Sequence, residues 1–303
     1  MSSSLPILEL RKLAYGVITT QAISVMAELK IADALAAGSR TPAAIAELLD
    51  LDASAVGRLL RFLSSVGVVT TESNGEFRLT AMGELLRSDV SGSFGHMAQI
   101  FGSDYGARTF SNIAHSIRTG GPAFDDAHGM GLFEYLQPRE KDRKNFYSGF
   151  TGLSQSQAPA IANAFDFQQF DSIVDVGGGC GYLLLEILKF HDHPTGILYD
   201  MKDVIGDARP LIEKEGLTDR CQAIEGDFFT SVPSGSGAYI MKLVIHDWSD
   251  DRAVEILTRC REAMADGGRV IVVDMVVPEG PDYGLTLAAD MNMMLLAGGR
   301  ERT

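Results

Sequence analysis

The spacing of apolar residues divides the chain in two. Up to about residue 165 they recur mostly at helical intervals. "LELRKLAYGVITTQAISVMAELKIADAL" (8–35) carries that pattern with no proline to break it. In "TPAAIAELL" (41–49), Thr41 reads as an N-cap and Pro42 as the first helical residue. Asp52 can cap the next helix, which gathers Val56, Leu59, Leu60 and Leu63 on one face. "VGVVTT" and "EFRLT" then flank "ESNG", a hairpin signal with an Asn-Gly turn. Helix, helix, hairpin is the outline of a winged helix. "RTGGPAFDDAHG" (118–129) reads as a turn-rich break, residues 139–165 as helix again, and "DFQQF" (166–170) as a joint.

From residue 171 short β-rich runs alternate with helical ones. "SIVDV", "TGILYD", "CQAIEGDFF", "GAYIMKLVI" and "GRVIVVDMVV" are the strand candidates, and helical stretches such as "YLLLEILKF" separate most of them. Such alternation predicts an α/β fold with a parallel, doubly wound, Rossmann-like sheet covered on both faces. Two domains follow: 1–165, helical and winged-helix-like, and 166–303, α/β. Ligands of such sheets sit beyond the carboxyl ends of the strands. The residues just after each apolar run are therefore the ones to inspect.

After the first strand come Asp175, Gly177, Gly178, Gly179 and Gly181. A dinucleotide fingerprint would need Gly or Ala at 182, where Tyr stands, and no Walker lysine is present. The second strand ends in Asp200, placed to accept the hydroxyls of a ribose. The third ends in Asp227 and Phe228, a carboxylate for an adenine amino group and an apolar face for its ring. Taken singly, each acid also suits a cap or a solvated turn. His246 follows the fourth strand directly. Phenols ionise near pH 10 and histidine titrates near 6.5, so a histidine at this edge suits proton removal from a hydroxyl.

"VDVGGGCG", "ILYDMKDVI", "EGDFF", "MKLVIHDWSDD" and "GGRERT" resemble, in order and spacing, the motifs of the S-adenosylmethionine-dependent small-molecule O-methyltransferases. That family includes plant caffeate-type and bacterial polyketide and phenazine enzymes of secondary metabolism. The resemblance covers nearly the whole chain. It implies S-adenosylmethionine as cofactor, with Asp175, Gly177, Gly179, Asp200, Asp227, Phe228 and Lys242 around it. Lys242 also fits a lysine snorkelling from a strand end. It implies His246 as general base, with Asp274 and Glu301 as its carboxylate partners. Asp274 stands where the family commonly has Glu, so its reach to His246 is shorter. Asp247, beside the base, suits either a substrate contact or a cap for the helix from Ser249, and the cap is the favoured reading. Asn292 and Met293, in "DMNMMLL", are the substrate-side candidates in an acceptor pocket expected between the domains; core packing suits the methionines equally. The resemblance also implies a homodimer through the N-terminal helices, and a part for that domain as a substrate lid.

The chain of 303 residues stops at Thr303, inside "GGRERT", where related chains continue. The expectation is a methyltransferase domain lacking its last helix and strands, with Glu301 on a fraying end and with reduced stability and activity.

Composition narrows the classes further. A formal net charge of −14 counts against nucleic acid, and the recognition-type helix 53–66 offers only Arg58 and Arg61 as basic residues. No apolar run approaches the ~20 residues of a membrane span. Three cysteines without paired spacing, and no secretory pattern at the start, fit a cytoplasmic setting. His191 and His193 form an H-x-H pair with no acidic or cysteine cluster tied to it, so no metal is expected. His128 reads as a packing residue. The expected function is methyl transfer from S-adenosylmethionine to a hydroxyl of a small aromatic or polyketide-type metabolite. The alternatives are a methyltransferase-like enzyme performing hydroxylation or decarboxylation, and a winged-helix regulator that senses a small molecule.

Overall fold

The computed structural model describes residues 5–277, 279–280 and 284–303. The chain forms two compact units. The first comprises residues 1–107 and 139–153, the second 108–138 and 154–303. Residues 108–138 and 154–165, which the sequence pattern groups with the helical half, thus belong to the second unit.

In the first unit the caps fall where the sequence places them. Thr41 Oγ1 accepts from the Ala44 amide at 3.2 Å, opening helix Pro42–Leu49. Asp52 Oδ1 accepts from the Ala55 amide at 2.7 Å, opening helix Ala53–Ser65. Strands β1 (Val69–Thr71) and β2 (Phe77–Leu79) pair antiparallel, completing the winged-helix outline. The hairpin differs in detail from a two-residue Asn-Gly turn. Glu72 and Glu76 still exchange a backbone bond at 2.8 Å, so Ser73, Asn74 and Gly75 form the loop. Of these three only Gly75, at φ 82°, is left-handed, the pattern of a type I turn closed by a glycine bulge. Met26, Ile31, Ile45, Leu60, Leu63 and Phe77 build the core. Helices Pro6–Ala14 and Gly16–Glu28 leave Leu5, Ile7, Leu10, Leu13 and Val17 mostly exposed.

The second unit is built on a parallel sheet. Its strands are β3 (Ser172–Val176), β4 (Thr195–Asp200), β5 (Cys221–Glu225), β6 (Ala238–Lys242) and β7 (Arg269–Val273). They lie in the order β5-β4-β3-β6-β7. The order reverses between β3 and β6, the switch point at which such sheets bind ligands. Alternate residues feed two cores. Ile173, Leu198 and Ile240 pack with Leu184, Leu188 and Phe167 on one face; Val174, Val176, Tyr239 and Met241 pack with Ile256 on the other. The "DFQQF" joint thus contributes to a core, since Phe167 and Phe170 are both buried. The turn-rich break holds a short helix, Ala123–His128. No helix among the described residues is long and apolar enough to cross a membrane.

Replacing a helix N-cap aspartate with alanine costs about 1 kcal/mol. Asp52→Ala is therefore expected to lower the unfolding free energy of the first unit by about that amount in a urea titration; an unchanged midpoint would show that this cap contributes nothing.

Candidate active site

Strand register brings the predicted cofactor residues together. Asp175 lies beside Leu198 on β4 and Ile240 on β6. Asp200 and Lys242, two residues further along those strands, therefore share its face of the sheet. The glycine turn leaves β3 beside them. Gly177, Gly179 and Gly181 have φ of 69°, 61° and 87°, a region that favours glycine. Space demands it too. A Cβ on Gly177 would lie 2.9 Å from Val244 Cγ2 and 3.6 Å from Phe228 Cε1.

Asp200 is tied to this turn. Its Oδ2 accepts from the Gly179 amide at 2.8 Å and its Oδ1 from the Met201 amide at 2.7 Å. Each oxygen keeps capacity for a further hydrogen bond, which suits a ribose diol. Burial raises the Asp200 pKa, and the two amides oppose the rise. Asp175 sits beneath the turn, 1% exposed, and neither of its oxygens has a hydrogen-bond partner. Burial pushes its carboxyl up to about 7; the Asp200 charge adds to the shift and Lys242 opposes it. Lys242 Nζ donates to Ser154 Oγ at 3.2 Å. Its own pKa is lowered by burial, against the pull of Asp175 and Asp274.

Asp227 is exposed, and its Oδ1 accepts from the Phe229 amide at 2.8 Å, a local turn bond. Phe228 is half-buried, with its ring centroid 4.9 Å from Phe229 and 6.1 Å from Trp248.

On the other side of the switch point, β6 gives way to a short 3-10 turn, Ile245–Asp247. Leu243 enters it at φ 55°, an uncommon conformation for a branched residue. His246 is buried on this turn. Its Nδ1 lies 2.8 Å from Glu301 Oε1, and its Nε2 3.5 Å from Asp247 Oδ1. Glu301 is not frayed. It is 5% exposed, and its amide donates to Asp290 Oδ1 at 2.9 Å. Asp247 is not the cap of helix Asp250–Ala263, because Ser249 holds that position. Instead its carboxyl faces His246. Burial pushes it up to about 6; His246 opposes the shift, while Asp274 and Glu301 reinforce it. Asp274 makes no hydrogen bond to the His246 ring, and its buried Oδ1 has no partner. Burial raises its pKa, and the His246 charge and the backbone amides of Leu243 and His246 oppose the rise. Of the two expected carboxylate partners, the structure gives the hydrogen bond to Glu301.

Asn292 and Met293 lie on helix Gly284–Leu296, as does Asp290. Met293 is buried, and Asn292 Oδ1 is buried without a partner. The remaining candidate histidines point elsewhere. His191 Nε2 meets the Ala162 carbonyl at 3.0 Å, His193 Nε2 meets Asp171 at 2.8 Å, and His128 packs on Phe124 with centroids 4.3 Å apart. Among the described residues no group of three or more His, Cys, Asp and Glu is placed to hold a metal ion.

Residues 110–303 match the model of the O-methyltransferase domain family, and residues 11–89 that of the O-methyltransferase dimerisation domain. The chain belongs to the O-methyltransferase family. It is an S-adenosylmethionine-dependent O-methyltransferase with a dimerisation domain before its Rossmann-like domain. It is 35% identical to a phenazine O-methyltransferase of Lysobacter antibioticus, over 95% of this chain and 84% of that protein. It is 38% identical to a 3-amino-4-hydroxybenzoate 4-O-methyltransferase of Streptomyces cremeus, over 96% of this chain and 80% of that one. A solved O-methyltransferase from neocarzinostatin biosynthesis, in complex with S-adenosylmethionine and 2-hydroxy-5-methyl naphthoic acid, is 35% identical with a TM-score of 0.78. That match covers 94% of this chain and 86% of the solved one.

The methyltransferase's cofactor fits the residues present: a cradle that a Cβ would fill, a carboxylate with spare acceptor capacity, and buried orphan oxygens beneath the turn. Sequence reasoning missed Arg302 and Leu243. Arg302 lies inside the quoted "GGRERT" motif, where Glu301 drew attention first. A left-handed leucine leaves no sequence signal.

An unfolded aspartate releases its proton near the ordinary value of 3.8, whereas the folded Asp175 holds its proton to about 7. Between those values the folded state carries the extra proton, so Asp175 makes stability fall as pH rises, and its share of the loss is complete above the upper value. Asp175→Asn is expected to flatten the fall in Tm across that window relative to the parent. Parallel Tm curves for the two proteins would show that Asp175 ionises normally.

Proposed function

We propose that this methyltransferase methylates a hydroxyl of a small aromatic metabolite, with His246 as the general base. The observation that carries the reading is the buried contact between His246 Nδ1 and Glu301 Oε1 at 2.8 Å. A carboxylate at Nδ1 holds the proton there and leaves the Nε2 lone pair to accept one. Nε2 takes the hydroxyl proton as the oxygen becomes nucleophilic, and Glu301 stabilises the imidazolium that results. Asp247, 3.5 Å from Nε2, adds negative charge on the same side. Asp274 contributes to the field around the base without a bond to it.

The Gly177–Gly181 backbone, Asp175 and Lys242 hold the amino-acid end of the cofactor, Asp200 its ribose, and Asp227 with Phe228 its adenine. When bound, S-adenosylmethionine supplies an electrophilic methyl group on a sulfonium. Positioning the acceptor oxygen against that group provides most of the remaining rate. Asn292 and Met293 face the acceptor. The aromatic class is supported by relatives named for hydroxybenzoate and naphthoate chemistry. The exposed apolar face of the first two helices, within the dimerisation match, supports pairing with a second copy.

The test is transfer of labelled methyl from S-adenosylmethionine to 3-amino-4-hydroxybenzoate and to hydroxynaphthoates, with EDTA present. Transfer is expected to persist in EDTA and to fall by ~10²–10⁴ in His246→Ala, the range a positioned acid–base group supplies. Cofactor affinity should be retained in that variant. Undiminished transfer by His246→Ala would remove the histidine from the mechanism.

A further inference from the structure

The turn that carries His246 is gripped from outside by the Arg302 side chain. Arg302 Nη1 donates to the Ile245 carbonyl at 3.0 Å, and its Nη2 donates to the Trp248 carbonyl at 3.0 Å. Its Nε and Nη2 both donate to Asp250 Oδ1, at 3.2 and 2.8 Å. The guanidinium therefore brackets the 3-10 turn, binding the carbonyls just before and just after the His246–Asp247 pair. It also anchors both to the first turn of the next helix. Lysine, with one ammonium on a flexible stem, cannot present this planar fork.

Arg302 is itself fixed. Its carbonyl accepts from the Val277 amide at 2.8 Å, through a parallel bridge between Val276 and Arg302. The Arg300 amide donates to the His246 carbonyl at 2.9 Å. A Cβ on Gly299 would overlap that same carbonyl, so glycine is what lets this backbone lie against the turn. The turn has little support of its own: Leu243 enters it in a left-handed conformation, and the 3-10 segment is a single turn of three residues.

We propose that Arg302 is a positioning residue for this methyltransferase, holding the backbone of the His246 turn while its neighbour Glu301 holds the ring. Glu301 fixes the rotation of the imidazole, and Arg302 fixes where that imidazole is mounted. The proposal rests on the reading of His246 as the base, but its test does not use turnover. A failure of one is therefore distinguishable from a failure of the other.

The readout is solvent exchange of the His246 ring N–H, followed by NMR of the full-length protein and assigned by its loss in His246→Asn. In Arg302→Gln this exchange is expected to quicken by about tenfold or more, the scale of losing a hydrogen bond that involves a charged group. Binding of S-adenosylmethionine by titration calorimetry should be unchanged, because the glycine turn is held by other contacts. Arg302→Lys should fall between the two, and added guanidinium ion should restore protection in Arg302→Ala. Asp250→Asn weakens an exposed partner shared by Arg302 and Arg300 while leaving both carbonyl bonds of Arg302 in place, and should give a smaller rise in the same direction. Should Arg302→Gln fail to fold, Arg302→Lys and Asp250→Asn decide. Parent-like protection of the ring N–H in every folded variant would overturn the proposal. So would loss of cofactor binding in step with ring protection, because Arg302 would then support the fold in general rather than this turn.

Discussion

A buried hydrogen bond between His246 and Glu301 joins segments 55 residues apart, and much of the second unit is arranged to permit it. A carboxylate in an interior is costly unless its surroundings satisfy it. Here one Glu301 oxygen meets His246 while Oε2 is buried without a partner, the Glu301 amide donates to Asp290, and the flanking backbone bonds the turn. The helix bearing Asp290 and the loop after β6 are thereby fixed with respect to one another. The His246–Glu301 pair is positioned by backbone on both sides.

The parallel sheet supplies the other half of the arrangement. All of its strands deliver their carboxyl ends to one edge, so residues far apart in sequence meet there without long loops. β3, β4 and β5 bring the glycine turn, Asp200 and Asp227; β6 and β7 bring Lys242, His246 and Asp274. Lys242 lies between the two groups and interacts electrostatically with both Asp175 and Asp274. Charge on the cofactor side and charge on the base side are therefore coupled through one ammonium.

Much of this was legible in the sequence, for identifiable reasons. Strand periodicity and glycine spacing are local properties, and so are the Thr41 and Asp52 caps; the fold and the cofactor edge follow from them. What escaped depends on tertiary approach. The choice of Glu301 over Asp274 as the hydrogen-bonded partner of His246 is set by where the chain after the Gly284–Leu296 helix returns. Asp247 looks like a cap because it precedes a helix, but Ser249 stands at the N-cap position and the Asp247 carboxyl lies 3.5 Å from the imidazole. Arg302 reads as an ordinary surface charge until its acceptors on the His246 turn are seen in space.

Gly299 carries a consequence of its own. With no room for even a methyl group against the His246 carbonyl, that position is closed to evolutionary tuning. Glu301 and Arg302, committed to ring and backbone, leave little more latitude. A lineage changing its acceptor would keep this corner frozen and explore the Gly284–Leu296 helix instead, at positions other than Asp290, which holds the Glu301 amide. The same division would serve an engineer: diversify the helix away from Asp290, and leave Gly299, Glu301 and Arg302 alone.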